Sequence, residues 1–213
     1  MRIAIVTFDG FNEIDSFVAF NILNRMRVHG WKAEIVCPSD TVVSGNGVRV
    51  TAQRPLEFAN EADVVLFGSG RLTPRIVADP SVMSRFGLDP RRQLIGCQCS
   101  GALALAKLGL LRVLPVCTDL ATRPLVEAEG IRVLSQSFFA AGNIASAGGC
   151  LSSPMLAAWV IRRLADRAAA ETALGYVAPV GEYDAYIAGV LDAVEPYVAA
   201  GAGHSGHAMQ EST

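Results

Sequence analysis

The chain of 213 residues is short of several things, and each shortage excludes something. Charged residues make up only 18% and the formal net charge is −2, with no basic stripe, which argues against a nucleic-acid partner. No apolar run reaches the roughly twenty residues of a membrane span; Gly, Asp or Arg interrupts each one, so no membrane role is expected. Met1-Arg2-Ile3-Ala4-Ile5-Val6 enters a strand directly and lacks the layout of a signal peptide. The five cysteines are odd in number and spread through apolar segments, which implies free thiols in a reducing compartment and a cytoplasmic location. Cys97 and Cys99 stand one residue apart, too close for zinc-type spacing, so neither a metal nor another cofactor is expected. Histidine is scarce as well: there are three, His29, His204 and His207.

Hydrophobic residues, at 51%, are plentiful enough for a substantial core. Arg2 to Thr7 and Lys32 to Cys37 read as strands around a helix that opens at Asn12-Glu13 and stops at His29-Gly30. Thr41 to Ser44 and Val48 to Thr51 flank Gly45-Asn46-Gly47 as a hairpin. Val64 to Phe67 is a continuous apolar run suited to a central parallel strand. Beyond it lie a helical stretch broken near Asp79-Pro80, a strand over Gln93 to Gly96 and a helix after Ser100. Further on come a short helix over Thr122 to Glu129, a strand over Ile131 to Leu134 and a second hairpin around Ala141-Gly142. Three helical segments follow, from about Ser152 to Asp166, then to Leu174, then from Glu182 to Ala193. This alternation predicts an α/β fold in one domain over residues 1–199: a mostly parallel central sheet flanked by helices, flavodoxin-like. Residues 200–213 show no periodicity and are expected to be disordered. Ligands on such sheets bind at the carboxyl ends of the strands.

The chain is organised around Ile95-Gly96-Cys97-Gln98-Cys99-Ser100-Gly101-Ala102. A strand here turns abruptly into a helix, with Cys99 at the corner and small residues around it, the spacing of a nucleophile elbow. At a helix N-terminus the dipole favours the thiolate, whereas the plainer reading is a buried cysteine filling space. Two further segments end strands on the same edge. In Gly68-Ser69-Gly70, glycines either free N–H groups for a bound anion or serve a tight loop; the N–H of Gly70 with that of Ser100 would make an oxyanion-type hole. Asp15, in the first turn of the first helix, is either a helix-start residue or a partly buried acid beside a thiolate.

Phe11 to Phe20, Val64 to Gly70, Leu94 to Leu111 and Ala147 to Ala158 together resemble the ThiJ/PfpI superfamily, which has a class I glutamine-amidotransferase-like fold. The most specific part is the elbow with its Leu108-Gly109-Leu110-Leu111 follow-on. Within the superfamily the chain looks closest to the isocyanide hydratase branch, which carries Cys-Thr-Gly or Cys-Ser-Gly at the elbow and an aspartate in the first junction. The resemblance implies that Cys99 is the nucleophile and Asp15 its partner. Gly70 matches the second glycine of the family's Pro-Gly-Gly loop, although Gly68 and Ser69 replace the other two residues. Gly148-Gly149 matches the turn that borders the site. The activity implied is hydration of an isocyanide to an N-formamide, on a small-molecule substrate, in a homodimer.

Departures from the wider superfamily bear on this reading. Proteolytic members carry a histidine directly after the cysteine; Ser100 stands there, which disfavours peptidase and amidase activity. A glyoxalase or deglycase would want a histidine or glutamate; Glu13 is the one available, but Asp15 fits the motif position better. Asp119 is either a second acid near the thiol or a cap for the helix after Thr122. Cys150 either packs in the core, lines the pocket or acts as a resolving thiol. The alternative in a different class is a redox- or electrophile-responsive protein that uses Cys99 without turnover. A ligand-sensing regulator domain ranks lowest, since no helix-turn-helix or basic recognition helix follows the core.

Overall fold

The computed structural model describes residues 1–198. Strand β1 (Arg2–Val6) leads to α1 (Glu13–Leu23), whose start is set by Asn12: its side-chain oxygen accepts the Ile14 N–H at 3.1 Å. The helix tightens into a 3-10 segment, Asn24–His29, and stops at Gly30 in the left-handed conformation, φ +75°. Then come β2 (Lys32–Cys37), the separate antiparallel pair β3 (Thr41–Val43) and β4 (Arg49–Thr51), and the two-residue β5 (Arg54–Pro55). β6 (Val64–Phe67) precedes two short helices, α2 (Thr73–Val77) and α3 (Pro80–Met83). β7 (Leu94–Gln98) and α4 (Gly101–Lys107) form the elbow, and α5 (Arg123–Ala128) follows. β8 (Phe138–Ala141) and β9 (Ile144–Ala147) make the second hairpin, after which come α6 (Ser153–Leu164), α7 (Arg167–Gly175) and α8 (Tyr183–Val194), with a closing 3-10 turn over Glu195–Tyr197.

The seven-stranded sheet runs in the order β5-β2-β1-β6-β7-β9-β8. Every pair is parallel except β8 with β9, so the hairpin's second strand joins the main sheet and its first forms an antiparallel edge. Side chains of β1 alternate between two cores, as a strand period of two requires. Ile3 and Ile5 pack with α1, α6, α7 and α8; Ala4 and Val6 pack on the opposite face with α4 and α5. Burial on both faces explains why Val64 to Phe67 shows no polar alternation.

Two sequence expectations change. Ile131 to Leu134 is not a strand; it is linked to Val116 by one isolated parallel bridge at Val133. The helix expected to run to about Val28 changes character at Asn24, whose side chain bonds the Phe20 and Ala33 carbonyls and ties the helix end to β2. The tail expected over residues 200–213 lies outside the described residues.

Candidate active site

Three strand-to-helix junctions, after β1, β7 and β9, meet at the carboxyl edge of the sheet. Each brings one reactive side chain: Asp15, Cys99 and Cys150, whose carboxylate oxygen and two sulfurs lie within 4.8 Å of one another.

Cys99 occupies the corner between β7 and α4 at φ +48°, the one positive-φ residue other than glycine among the described residues. Such a conformation costs about 1–3 kcal/mol and persists only where its surroundings impose it. Here its N–H donates to the Ala147 carbonyl at 2.9 Å and its carbonyl accepts from the Thr118 hydroxyl at 2.8 Å. The helix then begins directly against β6: a Cβ on Gly101 would sit 2.8 Å from the carbonyl oxygens of Phe67 and Gly68, so only glycine fits. Cys99 is 2% exposed, yet it lines a cavity of about 380 Å³ with Asn12, Ser69, Ser100 and Cys150. Pro74, Ala121 and Leu125 give that cavity an apolar wall.

Asp15 is buried in the first turn of α1. The Ser69 hydroxyl donates to its Oδ2. Its Oδ1 has no conventional hydrogen-bond partner among the described residues, which leaves it to the two thiols. Burial raises the Asp15 carboxyl above its usual range against the opposing pull of Ser69 and the thiols. The lowered thiol expected from the helix dipole is corrected. Burial first, then the neighbouring Asp15 charge, push the Cys99 thiol well up, and α4, with seven residues, does not offset this. Ionising either group opposes ionising the other, so the two titrate as a coupled pair rather than independently. Cys150 is raised as well, by burial and by Asp15, while the Asn12 amide donating to its sulfur at 3.1 Å works the other way.

The oxyanion-type hole expected from Gly70 and Ser100 is also corrected. The Gly70 N–H is taken by the Ser100 hydroxyl oxygen at 3.0 Å, and the Gly68 N–H by the Val6 carbonyl. Glycine is required at position 70 for close approach: a Cβ there would meet the Gly10 carbonyl oxygen at 2.5 Å. The loop therefore braces the first junction against the elbow. The Ser100 N–H bonds to nothing among the described residues.

Asp119 accepts the N–H groups of Ala121 and Thr122 at 3.0 Å and the Thr122 hydroxyl at 2.6 Å, the geometry of a cap, while also lining the cavity mouth. Gly148 and Gly149 border the neighbouring groove rather than the Cys99 cavity. Gly148 packs against the Thr118 backbone, and the Gly149 carbonyl accepts from the Gln98 amide at 2.6 Å. Glu13 is turned away, bonding Ser44 and Asn46.

Three residues escaped the sequence reading. Gln98 reaches both the Cys99 sulfur, at 3.6 Å, and Gly149. Asn12 holds Cys150 besides capping α1, and Thr118 pins the elbow carbonyl. Gln98 gave the one available signal, an amide at the end of a buried strand; for the others nothing local marks a contact made across the fold.

The sequence model of the DJ-1/PfpI family matches residues 1–163. The chain belongs to the DJ-1/PfpI family. No curated protein matches it in sequence. Among solved structures, it is similar to Schizosaccharomyces pombe DJ-1, at 18% identity over 84% of this chain and 100% of that one, with a TM-score of 0.71. A ThiJ/PfpI family protein from Pseudomonas syringae is 20% identical over 93% of this chain and 89% of that one, TM-score 0.73. A cysteine-to-alanine mutant of the DJ-1 superfamily protein STM1931 from Salmonella typhimurium is 22% identical over 84% of this chain and 98% of that one, TM-score 0.69. At these identities the likeness is one of fold, which in the DJ-1/PfpI family is the mostly parallel sheet flanked by helices described above. No helix among the described residues is long and apolar enough to cross a membrane.

Proposed function

We propose that this DJ-1/PfpI chain is a cysteine-dependent enzyme that hydrates small isocyanides to N-formamides. The observation that carries the reading is a buried acid with a raised pKa placed against a cornered thiol, with no histidine among the described residues at either side chain. An isocyanide carbon needs a soft nucleophile and then a proton on carbon, and this pair supplies one of each.

The productive form of the pair is Cys99 thiolate with Asp15 protonated. The sulfur attacks the terminal carbon, forming an S–C bond and leaving the electron pair on that carbon. Asp15 gives its proton to the carbon, which yields a thioimidate and a carboxylate. That carboxylate takes a proton from water as the oxygen adds to carbon, and passes it to the nitrogen. Collapse of the adduct forms the C=O bond, expels Cys99 thiolate and returns the hydroxyl proton to Asp15. The N-formamide departs with both residues reset. The Ser100 N–H, without a partner among the described residues, would orient the attacking water, and the apolar wall of Pro74, Ala121 and Leu125 suits an alkyl or aryl substituent. The exposed apolar side chains of Leu120 and Leu151 lie in the segments bordering the site and fit a homodimer that covers its mouth.

The test is formamide production from an alkyl or aryl isocyanide by the purified wild type beside Cys99→Ala. Product that vanishes in the variant supports the reading; no product from a folded wild type over a range of isocyanides removes it.

A further inference from the structure

The hydration mechanism has no use for Cys150, yet Cys150 is the second sulfur of the site. We propose that Cys99 and Cys150 are a two-cysteine redox pair: a hydroperoxide oxidises Cys99 to the sulfenic acid, and Cys150 resolves it as an intramolecular disulfide. This goes beyond isocyanide turnover and does not depend on it.

The two sulfurs already lie within 4.8 Å of each other and line one cavity, so a small hydroperoxide that reaches one reaches both. A disulfide needs about 2.05 Å, which leaves an approach of about 3 Å at most. The structure shows where that movement falls. Cys99 is fixed on both sides of its backbone by Ala147 and Thr118. Cys150 begins a single 3-10 turn, Cys150–Ser152, hung from the sheet through Gly149 at φ +86°, around which a Cβ would find open space. The next side chain, Leu151, is 85% exposed and anchors nothing. Closing on Cys99 would move Cys150 and the exposed Leu151, while Ser152 and Ser153 beyond them are buried and keep the start of α6 in place.

The remaining groups suit the two steps. Cys99 thiolate attacks the outer peroxide oxygen: an S–O bond forms, the O–O bond breaks, and the alkoxide or hydroxide leaves with the thiol's proton. Sulfur loses two electrons and the peroxide gains them. Asp15 Oδ1, the buried oxygen without a conventional partner, then takes the Cys150 proton. Cys150 thiolate attacks the sulfenic sulfur; the S–S bond forms, the S–O bond breaks, and the departing hydroxide leaves as water with the proton from Asp15. The Asn12 amide, 3.1 Å from the Cys150 sulfur, steadies the thiolate form before attack. The sum is two thiols and one hydroperoxide giving one disulfide, one alcohol or water, and one water. Cys97 and Cys117 also lie near each other, but both are fully buried and neither lines the cavity, so they serve as an internal control.

The experiment treats the reduced full-length protein, with chelator present because two thiolates and a carboxylate also suit a thiophilic metal, with one equivalent of hydrogen peroxide at mildly alkaline pH. Remaining thiols are alkylated after denaturation, and intact mass and peptide map are recorded. The expected result is loss of two hydrogen atoms, a Cys99–Cys150 cross-linked peptide, and full reversal by dithiothreitol. In Cys150→Ser and in Cys150→Ala, oxygen is retained on Cys99 instead, trapped by dimedone at low peroxide and as sulfinic acid in excess. Wild type that accumulates oxygen on Cys99 while Cys150 remains alkylatable overturns the proposal, as does a disulfide confined to Cys97 and Cys117. The outcome is read independently of whether any isocyanide is turned over.

Discussion

At the scale of single residues, Asp15 governs both reactivity and pH behaviour. Removing its charge while keeping its shape, as in Asp15→Asn, takes away the second cause that holds the Cys99 thiol up. Alkylation of Cys99 by iodoacetamide is therefore expected to be faster in Asp15→Asn than in wild type at mildly alkaline pH, while isocyanide turnover is lost. Equal alkylation rates would mean that burial alone sets the thiol. Stability follows the same group. Asp15 in the folded protein resists ionisation because it is buried, whereas in the unfolded chain it ionises near pH 4. The unfolded state thus releases its proton first as pH rises, and the folded state loses stability between the unfolded and the raised folded pKa. The neutral variant carries no such loss. Urea midpoints of Asp15→Asn should gain on wild type as pH rises from about 4 towards neutrality; a constant difference would show that Asp15 ionises as easily folded as unfolded.

At the scale of elements, the elbow depends on how closely α4 follows β7 beside β6. A methyl group at Gly101 meets two backbone oxygens, which cannot rotate aside. Gly101→Ala is expected to cost about 1–3 kcal/mol, the range for overpacking, and to slow Cys99 chemistry by shifting the corner; an unchanged denaturation midpoint would refute the tight approach. On the opposite face, Trp159 of α6 is fully buried, and Trp159→Ala should cost about 3–5 kcal/mol without altering the elbow. Elements of this kind were legible in the sequence where one local pattern decides them. Val64 to Phe67 announces a buried strand, Asn12 a helix start, and the small residues around Cys99 a corner. Other features were not legible because they are settled by neighbours distant along the chain. Ile131 to Leu134 looks like a strand, but its alternation found only Val116 to pair with. The glycines at 68 and 70 look like an anion loop, but the first junction and the Ser100 hydroxyl had already claimed their N–H groups. The helix dipole suggested a lowered thiol, and only the placement of Asp15 and the depth of burial show the opposite.

At the scale of the whole molecule, the family match ends at residue 163, and α7 and α8 lie beyond it. They nonetheless belong to the larger core: Ile187, Val190, Leu191 and Val194 are buried against the α6 side. Each such side chain contributes about 1.5–3 kcal/mol of gross burial, and four together rival the roughly 5–15 kcal/mol of net stability typical of a domain. A chain ending at Val180 is therefore expected to aggregate or to lose its cooperative melting transition, which calorimetry would detect; a truncated protein that melts as the full chain does would assign these helices no structural part. The strand order has one more consequence, for a chain being made on the ribosome. Asp15 emerges early, but it faces no sulfur until β7 has slotted in beside β6 and β9 beside β7. A nascent polypeptide stalled before residue 150 carries every thiol but the last, without the site, and chemistry at this centre begins only once synthesis has passed β9 and the turn that follows it.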